Sequence, residues 1–479
     1  MKKYLFIGLM LFACFTNHAQ VFNYVVDKNG SADFTSIQEA INAVSSNNNE
    51  RTLIFVKNGT YYEKVQVSTD KINVSLIGQD AEKVRLTYDD NPQKGTSPAD
   101  TYTMLAGGNG LYVENMTIEN SSGDVGQAIA IRTTGDTMAF KNCHFNGFQD
   151  TYYAHKNRQY NLNCTVKGAT DFIYGDATAV FDSCTVNCVK GGSYISAPAD
   201  TKLISWIYGK KFLHGLLFRY CNVTADDDVP VSSYYLGRPW QPDASSVYIS
   251  CVLGRHIKAE GWSTWSGDNH LSAVFAEYQN KNEDGSLTDI SQRAEWSSQL
   301  DSATVASRYK LSYFLRKNGK TWDPLRMTLE QESPNGVSLG NNTLSWNAVD
   351  NAIGYVVFKT DSVLGFTSTT MFEATNLKGN STDYQIKSVT KYGALSLSTY
   401  SIPTGVNGLP KNTKLIQTYK NGIVNFSQVV NYQVFTLSGV LVDSGKSDNV
   451  NIQTEHSGMY IVQVKNNRGE TAAIKIMNQ

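Results

Sequence analysis

Proline is scarce in this chain, with 10 among 479 residues, and no sign of charge dominates: 42 Lys and Arg stand against 43 Asp and Glu. The balanced charge removes the basic field that nucleic acid or an anionic membrane surface would call for, so no nucleic-acid partner is expected. Charged residues make up only 18% and hydrophobic ones 41%, which is too apolar for an intrinsically disordered chain. Beyond the N-terminus, no segment has the ~18 consecutive apolar residues of a membrane helix. No cysteine pair has the Cys-x-x-Cys spacing of a zinc site. None of the 7 histidines has a Ser and an Asp at recognisable spacing, so a Ser-His-Asp hydrolase finds no support. What is present is 27 Tyr and 37 Gly, the composition of a large β protein that handles something with flat faces, sugars included.

The N-terminus reads as a targeting segment. Lys2 and Lys3 precede a nearly uninterrupted apolar run from Leu5 to Phe15, too short to span a bilayer. A signal peptide over 1–19, with cleavage at Ala19-Gln20, is expected. Cys14 raises the alternative of lipoprotein processing, but Phe12 two residues before it fits a lipobox poorly. Export permits disulfides, and removing Cys14 leaves Cys143, Cys164, Cys184, Cys188, Cys221 and Cys251.

Internal repeats carry the fold. Leu111-Tyr-Val-Glu-Asn-Met116-Thr-Ile118 is followed by similar segments around Cys143, Cys164, Cys184, Cys221 and Cys251, each Cys or Met followed two residues later by an apolar side chain. That is the period of a strand with one face buried. The spacings are 27, 21 and 20 residues, then 37 and 30. A short strand recurring about every 20 residues or more marks a solenoid, and the longer intervals are coils with loop insertions. A parallel β-helix is favoured over a sandwich, whose strands recur every ~8–12 residues. The Cys/Met column reads as small apolar residues stacked in the interior. A disulfide between Cys164 and Cys184 is the alternative, since they sit one coil apart. Ile37, Ala40 and Ile41 fall at helical spacing behind polar capping residues, predicting an amphipathic helix that closes the N-terminal end. The run from Trp296 to Arg316 is a helical candidate for the other end.

Polar residues recur with the same period. Gln127, Gln149 and Asp171 are separated by equal steps of 22 residues, which would stack two amides and a carboxylate in one column at ~4.8 Å. Asp150 would join them only if the strand ends or bulges there, because strict alternation sends it to the opposite face. Two neighbouring carboxylates cannot both ionise freely, so one is pushed toward its acid form. Two carboxamides aimed at one point form an oxyanion hole, and Arg238 is placed to keep Asp171 ionised. Such a set suits acyl transfer from an ester without serine, metal or cofactor. The competing reading is an Asn/Asp/Gln ladder that satisfies turns.

Five motifs then match one family in its order: Gly59-Thr-Tyr-Tyr-Glu63, Gly126-Gln-Ala-Ile-Ala130, Gln149-Asp-Thr151, Asp171-Phe-Ile-Tyr-Gly175 and Leu236-Gly-Arg-Pro-Trp240. Residues 22–325 resemble the pectin methylesterases, aspartyl esterases built on a right-handed parallel β-helix. The resemblance implies Asp171 as nucleophile, Asp150 as acid and then base, Gln127 and Gln149 as oxyanion donors, and Arg238 as the holder of Asp171. It implies Trp240 and Trp262 as faces for sugar rings, with a buried core edge as the alternative for each, and Phe172 and Tyr152 as cleft lining. It implies methyl-esterified pectin as substrate, no cofactor and no metal. Tyr174 stands where the family usually has Phe, and Tyr152 where it usually has Leu; both bear on subsite fit. A pectate-lyase-like enzyme and a non-catalytic polysaccharide-binding surface protein are the alternative functions.

After Pro324 the 20-residue recurrence stops. Segments 333–402 carry short alternating strands at sandwich spacing and resemble a fibronectin type III module, with Trp346 and Tyr355 in its core. Residues 405–410 read as a linker. Residues 411–479, with Val434-Phe-Thr-Leu-Ser-Gly439, Ser457-Gly-Met-Tyr460 and Lys475, resemble the C-terminal sorting domain of type IX secretion substrates. The expectation is an all-β, monomeric protein, secreted or held at the outer cell surface, which engages secretion machinery through its tail.

Overall fold

The computed structural model describes residues 21–396 and 415–478, apart from 201–203, 208–209, 376, 421–422, 437–440, 452–457 and 467–470. The expected signal peptide, Cys14 and the 405–410 linker lie outside the described residues, as do 397–402 of the expected module.

Parallel strands between Tyr24 and Gln299 form three long sheets of eleven, nine and seven strands. Each coil visits the three in turn. Met138–Lys141, His144–Asn146 and Tyr152–Ala154 make one coil, and Arg158–Leu162, Thr165–Gly168 and Thr170–Gly175 the next. The parallel β-helix expected from the repeats is therefore present. The corner between the first two sheets recurs in detail. Asn115, Asn142, Asn163, Ser183, Tyr220 and Ser250 all have left-handed φ, and each precedes a member of the Cys/Met column. Asn enters that region more readily than other residues with a Cβ, which explains why three corners read Asn-Met or Asn-Cys.

The column itself is buried, and its cysteines are free thiols. The Cys164–Cys184 disulfide is therefore corrected. Stacked parallel strands direct their side chains the same way rather than toward each other, and a bridge needs the latter. Each thiol instead donates to the carbonyl two residues back, Cys164 to Leu162 and Cys184 to Asp182, both at 3.4 Å. The 37-residue interval holds an insertion, an antiparallel pair formed by Ile204–Ile207 and Lys210–Leu213.

Helix Ile37–Ala43 closes the N-terminal end with Ile37, Ala40 and Ile41 buried, and the Ser36 side chain accepts from Glu39 N. Glu63, the last residue of the first motif, accepts from the amides of Ile37 and Gln38. A carboxylate at a helix N-terminus satisfies orphan donors and opposes the helix dipole. The run from Trp296 is only partly helical, at Ser302–Arg308 and Leu311–Phe314. Trp296 packs on Phe275 of the interior cluster, while the helical part lies on the flank, where Tyr309, Phe314 and Leu315 cover Val180, Leu217 and Val247 on the outer face of the eleven-stranded sheet.

Beyond the β-helix stand two three-stranded antiparallel sheets, Ser338–Gly340 with Thr343–Ser345 and Met371–Glu373, and Gly354–Lys359 with Ser362–Thr367 and Tyr384–Val389. Trp346 and Tyr355 meet edge-on at 5.3 Å in their shared core, as expected. A further antiparallel sheet, from Ile416–Lys420 to Thr471–Asn478, encloses Val424, Val434, Tyr460 and Val462.

Candidate active site

Five strands of the seven-stranded sheet carry the site: β1 (Ile131–Thr133), β2 (Tyr152–Ala154), β3 (Thr170–Gly175), β4 (Tyr194–Pro198) and β5 (Tyr235–Gly237). Just ahead of β1 and β2, Gln127 pairs with Gln149, and Gln149 with Thr170. The two amides therefore share a column, but its third member is Thr170 and not Asp171. Asp150 N donates to Thr170 O, and Tyr152 is paired with Ile173, so Asp171 lies beside Asp150 in the next coil. The equal 22-residue steps mislead because the coil from Gln149 to Thr170 is one residue shorter than the coil before it.

Backbone geometry brings Asp150 into the site. Its φ is +65° and that of Asp171 is +49°, both left-handed. β3 also bulges between Thr170 and Ile173, where three residue steps oppose two of β4. The left-handed backbone at Asp150 breaks the alternation that would have sent it to the far face, and the bulge re-aims the chain at Asp171. The chain beneath must be thin: a Cβ on Gly168 would sit 2.3 Å from that of Phe172.

Arg238 follows β5 and grips Asp171 with two hydrogen bonds, Nε to Oδ1 at 3.0 Å and Nη2 to Oδ2 at 2.6 Å. Its guanidinium is clamped between Tyr194 at 3.8 Å and Trp265 at 4.0 Å. Burial raises Asp171 above the ordinary carboxylate range, and Arg238 opposes that shift. Asp150, 9% exposed, is pushed up to about 7 by burial and then by the charge of Asp171, while hydrogen bonds from Tyr174 and Gln149 hold it back. The bidentate cation sits on one carboxylate only, so the proton of the pair belongs to Asp150 and the charge to Asp171. The site thus holds a fixed carboxylate beside a buried acid, with the carboxamides of Gln127 and Gln149 in a column along one side.

The pectinesterase family profile matches residues 23–318. The chain belongs to the pectinesterase family. It is 31% identical to a pectinesterase/pectinesterase inhibitor of Prunus persica over 312 residues, 63% of this chain and 58% of that protein. It is 34% identical to a probable pectinesterase/pectinesterase inhibitor of Arabidopsis thaliana over 304 residues, 62% of this chain and 52% of that one. The chain spans little more than half the length of these curated relatives. Among solved structures, carrot pectin methylesterase superposes with a TM-score of 0.56 at 29% identity, covering 61% of this chain and 93% of that one. The pectin methylesterase of Erwinia chrysanthemi shares the fold, with a TM-score of 0.52 at 23% identity over 64% of this chain and 99% of that one.

Aromatic residues flank the site, but not all of those expected. Tyr153 and Tyr174, paired across β2 and β3, stack at 4.3 Å with Arg132 5.6 Å from the Tyr153 ring. Trp240 is half-buried and meets Tyr174 edge-on at 5.9 Å. Three other assignments are corrected. Trp262 is 2% exposed, packed on Tyr248 and Phe275, with its N–H donating to Glu277. Phe172 points into the β-helix interior, and Tyr152 is fully buried there with its hydroxyl 3.3 Å from Gln159 and 3.2 Å from Asn161. Tyr152 falls on the inward phase of β2 and Tyr153 on the outward one. Trp265 was the indole to choose, since a separation of three residues places it opposite Trp262 on an extended chain. Tyr153, Tyr194 and Trp265 are the site residues that sequence reasoning missed.

Proposed function

We propose that the protein hydrolyses methyl esters of polygalacturonate to pectate and methanol through an aspartyl acyl-enzyme. One observation carries this reading: adjacent buried carboxylates, of which Arg238 neutralises only Asp171. An ionised Asp171 oxygen attacks the ester carbonyl, forming a C–O bond while the carbonyl π electrons move to oxygen. The carboxamide N–H groups of Gln127 and Gln149 stabilise that oxyanion. As the intermediate collapses, the C–OCH3 bond breaks and Asp150 gives its proton to the departing methoxide, leaving a mixed anhydride on Asp171. Asp150, now a carboxylate, takes a proton from water as it attacks the anhydride, and Asp171 is released ionised. Arg238 holds Asp171 at the correct angle throughout, itself held by Tyr194 and Trp265. The Tyr153–Tyr174 pair and Trp240 give the flanking cleft faces that suit sugar rings.

The same reading takes residues 1–19 as an export signal, 333–402 as a fibronectin type III-like module and 411–479 as a sorting domain that engages secretion machinery, giving a monomeric enzyme released or held outside the cell. A signal peptide crosses only the inner membrane of a two-membrane cell, and pectin is too large to reach a periplasmic enzyme readily, so a second signal makes physical sense. The decisive experiment incubates the full chain with methyl-esterified polygalacturonate and follows methanol beside the absorbance of unsaturated sugars. Methanol without unsaturated product is expected. Unsaturated product without methanol would move the assignment to a lyase, and neither product to a binding protein.

A further inference from the structure

Apart from its terminal strands, the eleven-stranded sheet is buried on both faces. Over its later coils the outer face is covered by the 302–328 segment, but over its first coils most of the cover comes from beyond residue 318, where the family match ends, with Val21 and Phe22 beside it. There Leu53, Phe55, Ile77, Tyr112 and Ala139 form one apolar cluster with Val356, Phe358, Val389 and Leu395 of the sandwich. Strand Gly354–Lys359 alternates between two cores: Tyr355 and Val357 face the sandwich interior, while Val356 and Phe358 face the β-helix. Phe22, Phe55 and Phe366 lock the two units as a mutual aromatic triad, with ring centroids 5.1 to 5.2 Å apart. The approach is close enough that a Cβ on Gly354 would meet Val21 Cγ2 at 2.5 Å. Polar groups are matched across the same contact. Leu395 N donates to Glu114 Oε2 at 3.2 Å, Lys83 pairs with Asp361 at 2.7 Å, and the Arg51 guanidinium lies 4.9 Å from the Tyr392 ring.

We infer that the sandwich is a permanent structural cover of the β-helix, folding and unfolding with it, and not an independent appendage that captures polymer. An uncovered outer face bearing Phe55, Ile77 and Tyr112 would be a contiguous apolar patch of the kind that soluble proteins avoid. The cleft lies on a different sheet, so the cover touches none of the site residues. The inference does not depend on the esterase reading.

The test uses the full chain. Native-state hydrogen exchange in rising denaturant should show amides of Gly354–Lys359 and Thr52–Val56 opening together, with the same denaturant dependence. Phe366→Ala should lower the unfolding temperature of both strands together, by about 5 °C or more. If Gly354–Lys359 exchanges fully while Thr52–Val56 stays protected, or if Phe366→Ala leaves the β-helix unfolding temperature unchanged, the cover is dispensable and the inference fails. Should Phe366→Ala not fold, the exchange comparison on the unaltered protein decides alone.

Discussion

The seven-stranded and eleven-stranded sheets are wound from the same coils, yet they treat a buried carboxylate in opposite ways. On the eleven-stranded sheet, Glu114 is 1% exposed and lies 3.4 Å from the Lys141 ammonium, with the Tyr112 hydroxyl and the Leu395 amide donating to it. Asp182 on the same sheet faces Arg219 at 3.4 Å. Each carboxylate there has a cation of its own. On the seven-stranded sheet two carboxylates share one guanidinium, and it grips Asp171 alone. The difference is one missing positive charge, and it turns a structural ion pair into an acid beside a fixed carboxylate. Burial is common to both faces; the count of cations per carboxylate separates scaffold from chemistry.

The sharpest way to test that contrast is to neutralise one carboxylate on each face. Asp171→Asn should lower methanol release by roughly 10^4-fold or more, since the proposed acyl pathway runs through its oxygen, and should leave the unfolding temperature little changed. Glu114→Gln should do the reverse, costing about 3–5 kcal/mol by stranding the Lys141 charge, while the folded variant keeps its turnover. Calorimetry and methanol assays on both variants read the four values. Similar losses of activity from both would end the division of labour argued here.

A smaller effect follows from the proton on Asp150. Its folded pKa of about 7 stands above the ordinary carboxylate value of 3.8, so the native state binds the proton more tightly than the unfolded chain. The stability this contributes is fully present at pH below the unfolded value. It declines as pH rises through the window between the two and is gone above pH 7. Charging Asp150 in place therefore costs on the order of 4 kcal/mol at alkaline pH. Asp150→Asn, which cannot charge, should unfold at a higher temperature than the unaltered protein at pH 8 and differ little from it at pH 4. A variant that is no more stable at pH 8 would mean that Asp150 already sits near its ordinary value.

Much of this was legible in the sequence. The coils were, because each repeats the same corner, and Asn115, Asn142 and Asn163 with left-handed φ mark it plainly. The candidate site residues are legible as motifs, but their arrangement is not, because spacing counts residues and register counts rungs. The coil from Gln149 to Thr170 is one residue shorter than the coil before it, and that puts Thr170 rather than Asp171 in the column. Inside and outside were misassigned at Tyr152 and Trp262, where the neighbouring aromatics Tyr153 and Trp265 occupy the outward phase. The docking of the sandwich left one trace that was readable in hindsight. Tyr355-Val-Val-Phe358 is an uninterrupted apolar run, and a strand without alternation is buried on both faces.

The smallest effect concerns Tyr174, where the family usually has Phe. In the sequence the substitution bears on subsite fit, but its hydroxyl donates to Asp150, and that bond is one of the forces lowering the acid from the value that burial alone would set. Removing it with Tyr174→Phe keeps the ring on Tyr153 and takes away only the donor. The Asp150 carboxylate then loses a stabilising partner, so its pKa rises further above about 7. In the proposed first step Asp150 must carry its proton, so kcat/KM should fall as pH rises through that pKa. The alkaline limb should therefore move to higher pH in Tyr174→Phe, by about one unit or less given the modest net worth of one hydrogen bond. The plateau below it should stay within a few-fold of the unaltered protein. A limb that moves to lower pH, or stays in place while the plateau drops, would assign the Tyr174 hydroxyl to substrate contact instead of to the acid.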